Sequence, residues 1–226
     1  MISHELRCLF VHIPKCAGTS IEVALGHIGD NVGRGAQDHR SIRAMAPFPG
    51  LSALNSLDNI LEFGKRFVPS SPYDSSNYRN KFTVSPEQFD DYFKFTIVRN
   101  PWDRVFSWYR NVIRDEIHLV NYGISSNCTF ADFLKISVGK GALRQNSHWL
   151  QGFDGKIDLD FIGRFENLPD TFEEIRQRLS LSDLEFPYEN MRNTVCYKNF
   201  YDNDSFEIVN DAFRQEILMF GYQFDS

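Results

Sequence analysis

The chain has 226 residues, of which 42% are hydrophobic and 15% aromatic, so it can bury one substantial core, most simply as a single domain over residues 1–226. Its formal net charge of −6 argues against a general nucleic-acid-binding protein and against a basic protein of the membrane surface. A polyanionic ligand therefore needs a locally basic groove.

The cysteines and the start of the chain indicate a compartment. The four cysteines are widely separated and include no C-x-x-C pair, so neither a zinc site nor a disulfide framework is expected. The start of the chain lacks the layout of a signal peptide, and no apolar run approaches membrane-spanning length. We therefore expect a cytoplasmic protein with no transmembrane segment. Nothing in the sequence indicates an oligomeric state.

A strand, a loop and a helix are predicted between Cys8 and Leu25, in the stretch CLFVHIPKCAGTSIEVAL. The mostly apolar run Cys8–Ile13 has the pattern of a buried strand, and Pro14 is expected to end it. Gly18 is then expected to let the backbone turn tightly beside a ligand, because glycine adopts conformations that other residues avoid.

The helix after this loop is predicted to begin at Thr19 and Ser20, which stand where N-cap residues are preferred. Unpaired N–H groups and the positive end of the helix dipole meet at such a position, which suits an anion, and Lys15 adds an ammonium group. The alternative is an ordinary strand-to-helix turn with a surface lysine. The loop is not a Walker A motif, because Lys15 precedes Gly18 instead of following it.

A second strand and helix are predicted from Tyr92 onward. The strand is Tyr92–Val98, and Asn100 can cap the helix that follows it. Arg99 at the strand's end and Ser107 two turns into the helix could bind one anion, since a guanidinium grips a phosphate and a hydroxyl donates to a remaining oxygen. The alternative is a salt bridge between Arg99 and Asp103, with Ser107 as a small packed residue.

Between and after these units the elements are less sharply marked. Residues 46–90 are punctuated by Pro, Gly and Ser and are interpreted as an acceptor-binding lid or a mobile loop. The further predicted elements are a helix within 51–67, a helix over 129–136, a strand over 159–165, a helix over 168–179 and a closing helix over 204–220.

The alternation of strands and helices predicts an α/β fold. We expect a three-layer, P-loop-like domain with a mainly parallel central sheet flanked by helices. Ligands of such sheets bind beyond the carboxyl ends of the strands, where both Lys15 and Arg99 fall in the sequence. The fold therefore predicts that two distant cations meet in one cleft.

Two motifs resemble those of sulfotransferases that use 3′-phosphoadenosine 5′-phosphosulfate (PAPS). The order I-P-K-x-x-G-T-S is similar to the 5′-phosphosulfate loop, and Phe93–Asn111 (FKFTIVRNPWDRVFSWYRN) is similar to the 3′-phosphate motif. The resemblance continues through Asp158–Leu168 (DLDFIGRFENL) and the terminal FGYQF, so it covers most of the chain. Within the family the chain most resembles the carbohydrate-type bacterial members without a membrane anchor.

The resemblance implies roles for individual residues toward PAPS and its product PAP. The 5′-phosphosulfate is expected on the first loop, on Lys15, Cys16, Ala17, Gly18, Thr19 and Ser20. The 3′-phosphate is expected on Arg99 and Ser107. The family also carries a polar, basic loop over the nucleotide, and residues 188–202 meet that pattern only in part, with Arg192 and Thr194.

The implied reaction is transfer of the sulfuryl group to an acceptor hydroxyl, a saccharide or glycoconjugate in the branch resembled, by in-line attack. Lys15 would neutralise charge on the leaving oxygen, and no metal is needed. Related bacterial sequences carry a base at a place similar to His39, although a solvated loop histidine is the reading that the sequence alone favours. Glu62, Glu87 and His148 are the replacement bases.

Rival functions follow from the same features. A P-loop small-molecule kinase shares the strand–loop–helix unit, but its lysine would be placed differently and no Mg²⁺-binding carboxylate motif is evident. A non-catalytic PAP-binding protein would keep the cleft and lack the base. A cysteine phosphatase is disfavoured, because Glu22 stands where the arginine that follows Cys16 would be.

Overall fold

In a computed structural model of the protein, the structure describes residues 1–29, 35–67, 77–181, 184 and 196–225. The chain divides into two compact units, Met1–Val98 with Ser147–Tyr188 and Arg99–Asn146 with Glu189–Ser226. The single domain over 1–226 stays a prediction. Arg192 and Thr194 lie outside the described residues. Within the described ranges, no helix combines the length and the apolar character needed to cross a membrane.

The first unit is built on a four-stranded sheet. Its strands are β1 Ile2–Ser3, β2 Cys8–Val11, β3 Phe93–Val98 and β4 Phe161–Arg164, and they lie side by side in that order. Strands β2, β3 and β4 are parallel, whereas β1 pairs with β2 in the antiparallel direction. The predicted α/β fold with a mainly parallel sheet is confirmed, and the short strand β1 was not foreseen from the sequence.

The central strands are buried because their residues are almost continuously apolar. Phe10 of β2 faces Phe95 of β3 in the register, and their ring centroids lie 5.0 Å apart. Thr96 is polar but fully buried, and its hydroxyl donates to the carbonyl oxygen of Val11 over 2.8 Å. Such runs are typical of parallel strands covered on both faces.

Eleven α-helices are found in the described part of the chain. In chain order they are α1 Gly18–Ala24, α2 Ile42–Met45, α3 Leu57–Gly64, α4 Pro86–Asp91, α5 Pro101–Val112, α6 Glu116–Tyr122, α7 Phe130–Ser137, α8 Asn146–Leu150, α9 Leu168–Arg178, α10 Asn203–Ala212 and α11 Arg214–Phe220. The predicted helices over 129–136 and 168–179 are confirmed as α7 and α9 within one residue at each end.

In the region 46–90 one helix prediction needs correction and one helix was missed. The helix expected within 51–67 is limited to α3, which begins after Ser56 accepts a hydrogen bond from the N–H of Asn59. A short 3₁₀ turn over Leu51–Ala53 precedes it. Helix α4 was not predicted, although Ser85 and Gln88 form a capping box at its start. Local capping chemistry, and not apolar periodicity, defines these short helices.

The second unit contains α5, α6, α7, α10 and α11. The predicted cap of α5 is confirmed, because the side chain of Asn100 accepts a hydrogen bond from the N–H of Trp102 and Pro101 follows at the first helical position. The single closing helix over 204–220 is wrong. The backbone leaves helical geometry at Phe213, with φ −113° and ψ 18°, so α10 and α11 are separate.

Buried polar residues of the second unit pair with one another. Arg104 is fully buried and donates to the side chain of Asn146 and to the carbonyl oxygen of Arg144. Its guanidinium also lies 3.8 Å from the carboxylate of Glu216 and over the ring of Phe213. Burial raises the pKa of Glu216 to about 7, against the opposing effect of Arg104. The cluster ties α5 to α11.

Candidate active site

The loop after β2 is turned by residues other than glycine. Lys15 and Ala17 have φ values of 70° and 61°, in the left-handed region, whereas Gly18 begins α1 with no such conformation. Ala17 is the N-cap residue and makes no side-chain capping bond. The predicted capping by Thr19 and Ser20 is therefore wrong, since both lie inside the first helical turn. Non-glycine residues held in this region are strained and are found often at functional sites.

Several N–H groups of this loop point to an anion. The N–H groups of Ala17, Gly18 and Thr19 have no acceptor among the residues that the structure describes. The N–H of Ser20 is different, because it donates to the carbonyl oxygen of Ala17 over 3.1 Å. Successive N–H groups that follow a left-handed residue form an anion-binding concavity. Half-buried Lys15 brings an ammonium group to the same loop.

Gly18 has a packing role toward His12, which is buried directly after β2. A Cβ atom added at Gly18 would overlap the imidazole ring of His12. The glycine is therefore required because the ring lies against the start of α1. The sequence interpretation assigned Gly18 to a tight turn, and the structure replaces that role with close contact between loop and ring.

His12 is paired with a buried carboxylate of α1. Its Nδ1 lies 3.1 Å from Oε1 of Glu22, and both side chains are almost wholly buried. The same carboxylate oxygen accepts a hydrogen bond from the N–H of Asp38 over 2.9 Å. Burial by itself would raise the pKa of Glu22, but the interactions with His12 and with the ammonium group of Met1 together lower this pKa below its ordinary value. Glu22 is thus held as a carboxylate.

His39 packs against the other histidine. The two ring centroids lie 4.1 Å apart with the planes tilted by 53°, and Nδ1 of His39 lies 3.3 Å from the carbonyl oxygen of His12. Loss of solvent around the ring and the nearness of His12 lower the pKa of His39. The residue as a whole keeps an exposed surface, so water remains available to its outer edge. This pKa falls to about 3, so His39 is neutral at physiological pH.

A cavity of about 230 Å³ opens beside His39 in the first unit. It is lined by Gln37, Asp38, His39, Arg40, Ala44, Lys65, Arg66, Phe67, Asn80 and Lys81. Four of these residues are cationic and one is anionic, although the whole chain is acidic. Arg40 already pairs with Asp38 over 2.7 Å. The cavity walls therefore carry excess positive charge.

The cation Arg66 shows that this charge is not fully compensated. It donates to the carbonyl oxygens of Ala46, over 2.6 Å, and of Arg43. Its Nε is buried and has no hydrogen-bond partner among the residues that the structure describes, and burial together with repulsion from Arg40 lowers its pKa. Lys81 is exposed and forms no ion pair with any residue that the structure describes. An anion in the cavity would compensate these groups.

The replacement bases are placed elsewhere. Glu62 is buried, and its carboxylate accepts from the hydroxyl of Ser41 and lies 3.4 Å from Nε2 of His148. Lys65 also pairs with Glu62, and these interactions lower the pKa of Glu62 although its burial acts to raise it. Glu87 lies at the start of α4, where Ser85 donates to it. His39 packs on His12, which in turn lies against Gly18 of the loop after β2.

The predicted 3′-phosphate residues belong to the second unit. Arg99 is buried, and its Nε and Nη2 lie 2.9 Å and 2.8 Å from the same carboxylate oxygen of Asp103. The alternative salt bridge that the sequence allowed is therefore present. Ser107 is half-buried on α5, as predicted. Binding of one anion by Arg99 and Ser107, and their meeting with Lys15, stay predictions.

Sequence reasoning missed His12, the role of Glu22, and the cations of the cavity. His12 was part of an apolar run, and a histidine at the end of a buried strand directly before a lysine loop was the available signal. Arg40, Lys65, Arg66 and Lys81 are spread over more than forty positions. Their sequence spacing gave no sign that one cavity collects them.

Comparison with known proteins gives one match over nearly the whole chain. Residues 1–223 match the family model described as Sulfotransferase family. A protein named carbohydrate sulfotransferase 14 from Danio rerio is 32% identical over 110 residues, which are 39% of this chain and 30% of the relative. An uncharacterized protein from Archaeoglobus fulgidus is 28% identical over 102 residues, 44% of this chain and 78% of the relative. No solved structure matches the chain.

Proposed function

The chain belongs to the sulfotransferase family, and from this membership we propose that it transfers the sulfuryl group of PAPS to a carbohydrate hydroxyl. One observation carries the proposal. The anion-binding loop and the neutral His39 lie more than twenty positions apart in the sequence, yet both contact His12. Donor-binding groups and a base are thereby held around one side chain.

The loop 15–19 fits the 5′-phosphosulfate of the donor. The N–H groups of Ala17, Gly18 and Thr19 need acceptors, and phosphate oxygens are strong acceptors. In the reaction the bond between sulfur and the bridging oxygen of the 5′-phosphate breaks, and its electron pair stays on that oxygen. Lys15 and the N–H groups stabilise this growing charge. Arg99 and Ser107 are the residues proposed for the 3′-phosphate.

His39 is the proposed general base. The acceptor hydroxyl oxygen forms a new bond to sulfur, and its proton moves to the imidazole of His39. A neutral ring that donates from Nδ1 to the carbonyl oxygen of His12 keeps the lone pair on Nε2 for this proton. Because His39 also lines the cavity, an acceptor in the cavity lies within reach of the base.

The cavity favours an acceptor that carries a carboxylate or a sulfate ester. Its volume of about 230 Å³ suits one sugar unit of a longer chain. Arg66 and Lys81 present donors that no described residue satisfies. A neutral saccharide would leave these cations without counter-charge. We therefore extend the proposal to an anionic saccharide.

The donor is tested first. PAP without Mg²⁺ should raise the melting temperature of the protein, and labelled sulfate should pass from PAPS to an oligosaccharide. Stabilisation that requires Mg-ATP would replace the sulfotransferase by a kinase. Stabilisation by PAP without transfer to any acceptor of a broad panel would leave a PAP-binding protein.

The acceptor class is tested with matched tetrasaccharides. A hyaluronan tetrasaccharide should bind by calorimetry, whereas its carboxyl-reduced, neutral counterpart should bind about tenfold more weakly. Lys81→Gln should remove much of that difference. Lys156→Gln, at an exposed site of the same unit outside the cavity lining, should not. A sulfated neutral tetrasaccharide distinguishes a sulfate-binding cavity from a carboxylate-binding one, and equal binding of all three sugars would contradict an anionic acceptor.

A further inference from the structure

We propose that His12 and Glu22 are positioning residues for the base His39, and that Gly18 couples them to the donor loop. This inference rests on the proposed function, because it assumes that His39 accepts the acceptor proton. Neither residue is expected to touch donor or acceptor. Each acts through the imidazole of His39.

The ring of His12 is fixed from two sides. The start of α1 lies against its ring, so close that Gly18 cannot carry a side chain. In addition, Nδ1 of the His12 ring lies 3.1 Å from Oε1 of Glu22. A buried ring with one face blocked and one nitrogen paired has little rotational freedom.

His12 in turn restricts the position of His39. The rings pack at a centroid distance of 4.1 Å, and the carbonyl oxygen of His12 faces Nδ1 of His39 at 3.3 Å. Glu22 adds a second link, because it accepts from the N–H of Asp38, the residue before His39. Backbone and ring of the base are therefore both held by the pair.

The carboxylate of Glu22 is charged and, like the ring of His12, almost wholly buried. Oε2 of Glu22 has no hydrogen-bond partner among the described residues, and Nδ1 of His12 lies close to Oε1 of Glu22 but is not aligned for a hydrogen bond. A buried carboxylate left with so few donors is costly and is unusual in a residue that only fills space. A carboxylate at this position is explained if the charge of Glu22 acts on His39.

The two members of the pair affect the base in opposite directions. The negative charge of Glu22 raises the pKa of His39, and the nearness of His12 lowers it. Other charged groups also surround this site: Asp38 raises the same pKa, Arg40 and the ammonium group of Met1 pair with Asp38, and Lys65, Arg66 and Lys81 line the cavity with His39. None of these others changes in the variants below.

The test is the pH dependence of kcat in Glu22→Gln and His12→Gln. Each variant should lower kcat about 10- to 100-fold while KM for PAPS changes about twofold or less. The acidic limb of the kcat profile should move to lower pH in Glu22→Gln and to higher pH in His12→Gln. A structural defect alone would not move the limb in opposite directions. Glu5→Gln, an exposed change of the same kind in the same unit, should leave both parameters unchanged.

The results distinguish a failure of the positioning role from a failure of the base assignment. If His39→Ala abolishes transfer but neither limb moves, or both move the same way, the positioning role is wrong and the base assignment stands. If His39→Ala keeps normal kcat, the base assignment itself fails. Glu22→Gln keeps the size of the buried side chain, so it stays informative if His12→Gln does not fold. PAP-induced stabilisation shows which variants are folded.

Discussion

The loops that follow the two neighbouring parallel strands β2 and β3 differ in how their polar groups are used. After β2, the N–H groups of Ala17, Gly18 and Thr19 have no acceptor within the described ranges. After β3, Arg99 is paired with Asp103, and the side chain of Asn100 caps α5. Both positions carried the same expectation from the fold, namely an anion beyond a strand's carboxyl end.

The N–H groups after β2 are open to a ligand, whereas the polar side chains after β3 are already paired within the chain. Ala17 is half-buried and Gly18 is buried, so their N–H groups are more in need of a partner than the N–H group of exposed Thr19, which water can serve. A guanidinium already held by a carboxylate gives no such indication, although it can exchange that partner for a phosphate. The donor-binding roles of the loop and of Arg99 both stay predictions from the family resemblance, and the two regions differ in that the N–H groups of the loop are open to an acceptor whereas Arg99 is already paired.

The largest effect is expected at Lys15, which would sharpen the comparison on the side of β2. Lys15→Ala should reduce the single-turnover rate of sulfuryl transfer about 100- to 1000-fold, because the leaving oxygen loses its neutralising charge. Lys156→Ala, an exposed lysine of the same unit, should leave the rate unchanged. Chemistry at a near-normal rate in Lys15→Ala would remove this residue from the leaving-group role.

Arg99 provides the direct test of the other side. If it binds the 3′-phosphate, Arg99→Gln should weaken PAP binding by about 10- to 100-fold, since a charge-assisted contact to a phosphate is lost. Asp103→Asn breaks the same ion pair and should leave PAP binding equal or slightly tighter. Calorimetry with PAP compares the two. Equal loss of PAP affinity in both variants would identify the pair as purely structural.

Glu216 tests whether buried charge in the second unit acts on stability. Its pKa is raised by burial from 4.5 to about 7 in the folded protein. The contribution of protonated Glu216 to the free energy of unfolding is fully present below the unfolded pKa. It is lost as the pH rises through the folded pKa, and the loss is on the order of 3 kcal/mol at most. Glu216→Gln should remove that pH dependence from denaturant unfolding curves, and the exposed control Glu207→Gln should not.

A wild-type unfolding free energy that stayed flat from acid to neutral pH would contradict the raised pKa of Glu216. Binding of PAP measured well below the melting temperature should be the same in Glu216→Gln and in the wild type. The cluster of Arg104, Asn146 and Glu216 would then act on stability and not on donor binding.

Much of the fold could be predicted because its signals are local. The apolar runs gave β2, β3 and β4 to within a few residues, and Asn100 with Pro101 marked the start of α5. Other elements depend on contacts that periodicity does not record. The pattern of the last helix runs on past Phe213, but the backbone breaks there, and Glu216 occupies a buried position on α11.

The candidate site was predicted by residue type and not by mechanism of assembly. Lys15 was proposed from the loop motif and His39 from the family resemblance, and both roles stay predictions. The N–H groups of Gly18 and Thr19 have no acceptor among the described residues, as expected, whereas that of Ser20 is paired. No local sequence pattern indicates the contacts of His12 with Gly18 and with His39. Each of these contacts joins residues that are separated along the chain by a loop or a helix. The glycine was therefore given a conformational role that belongs to its neighbour Ala17.

The two adjacent residues Ala17 and Gly18 allow a matched test of that reassignment. Ala17→Gly should keep or raise the free energy of unfolding, by up to about 1 kcal/mol, because the left-handed conformation at φ 61° suits glycine. Gly18→Ala should lower it by about 1–3 kcal/mol, since the added methyl group overlaps the His12 ring. Denaturant unfolding measures both. If the tight turn resided at Gly18, Gly18→Ala would be destabilising without disturbing the base. Displacement of His12 instead predicts that the pH profile of kcat changes in Gly18→Ala and stays normal in Ala17→Gly.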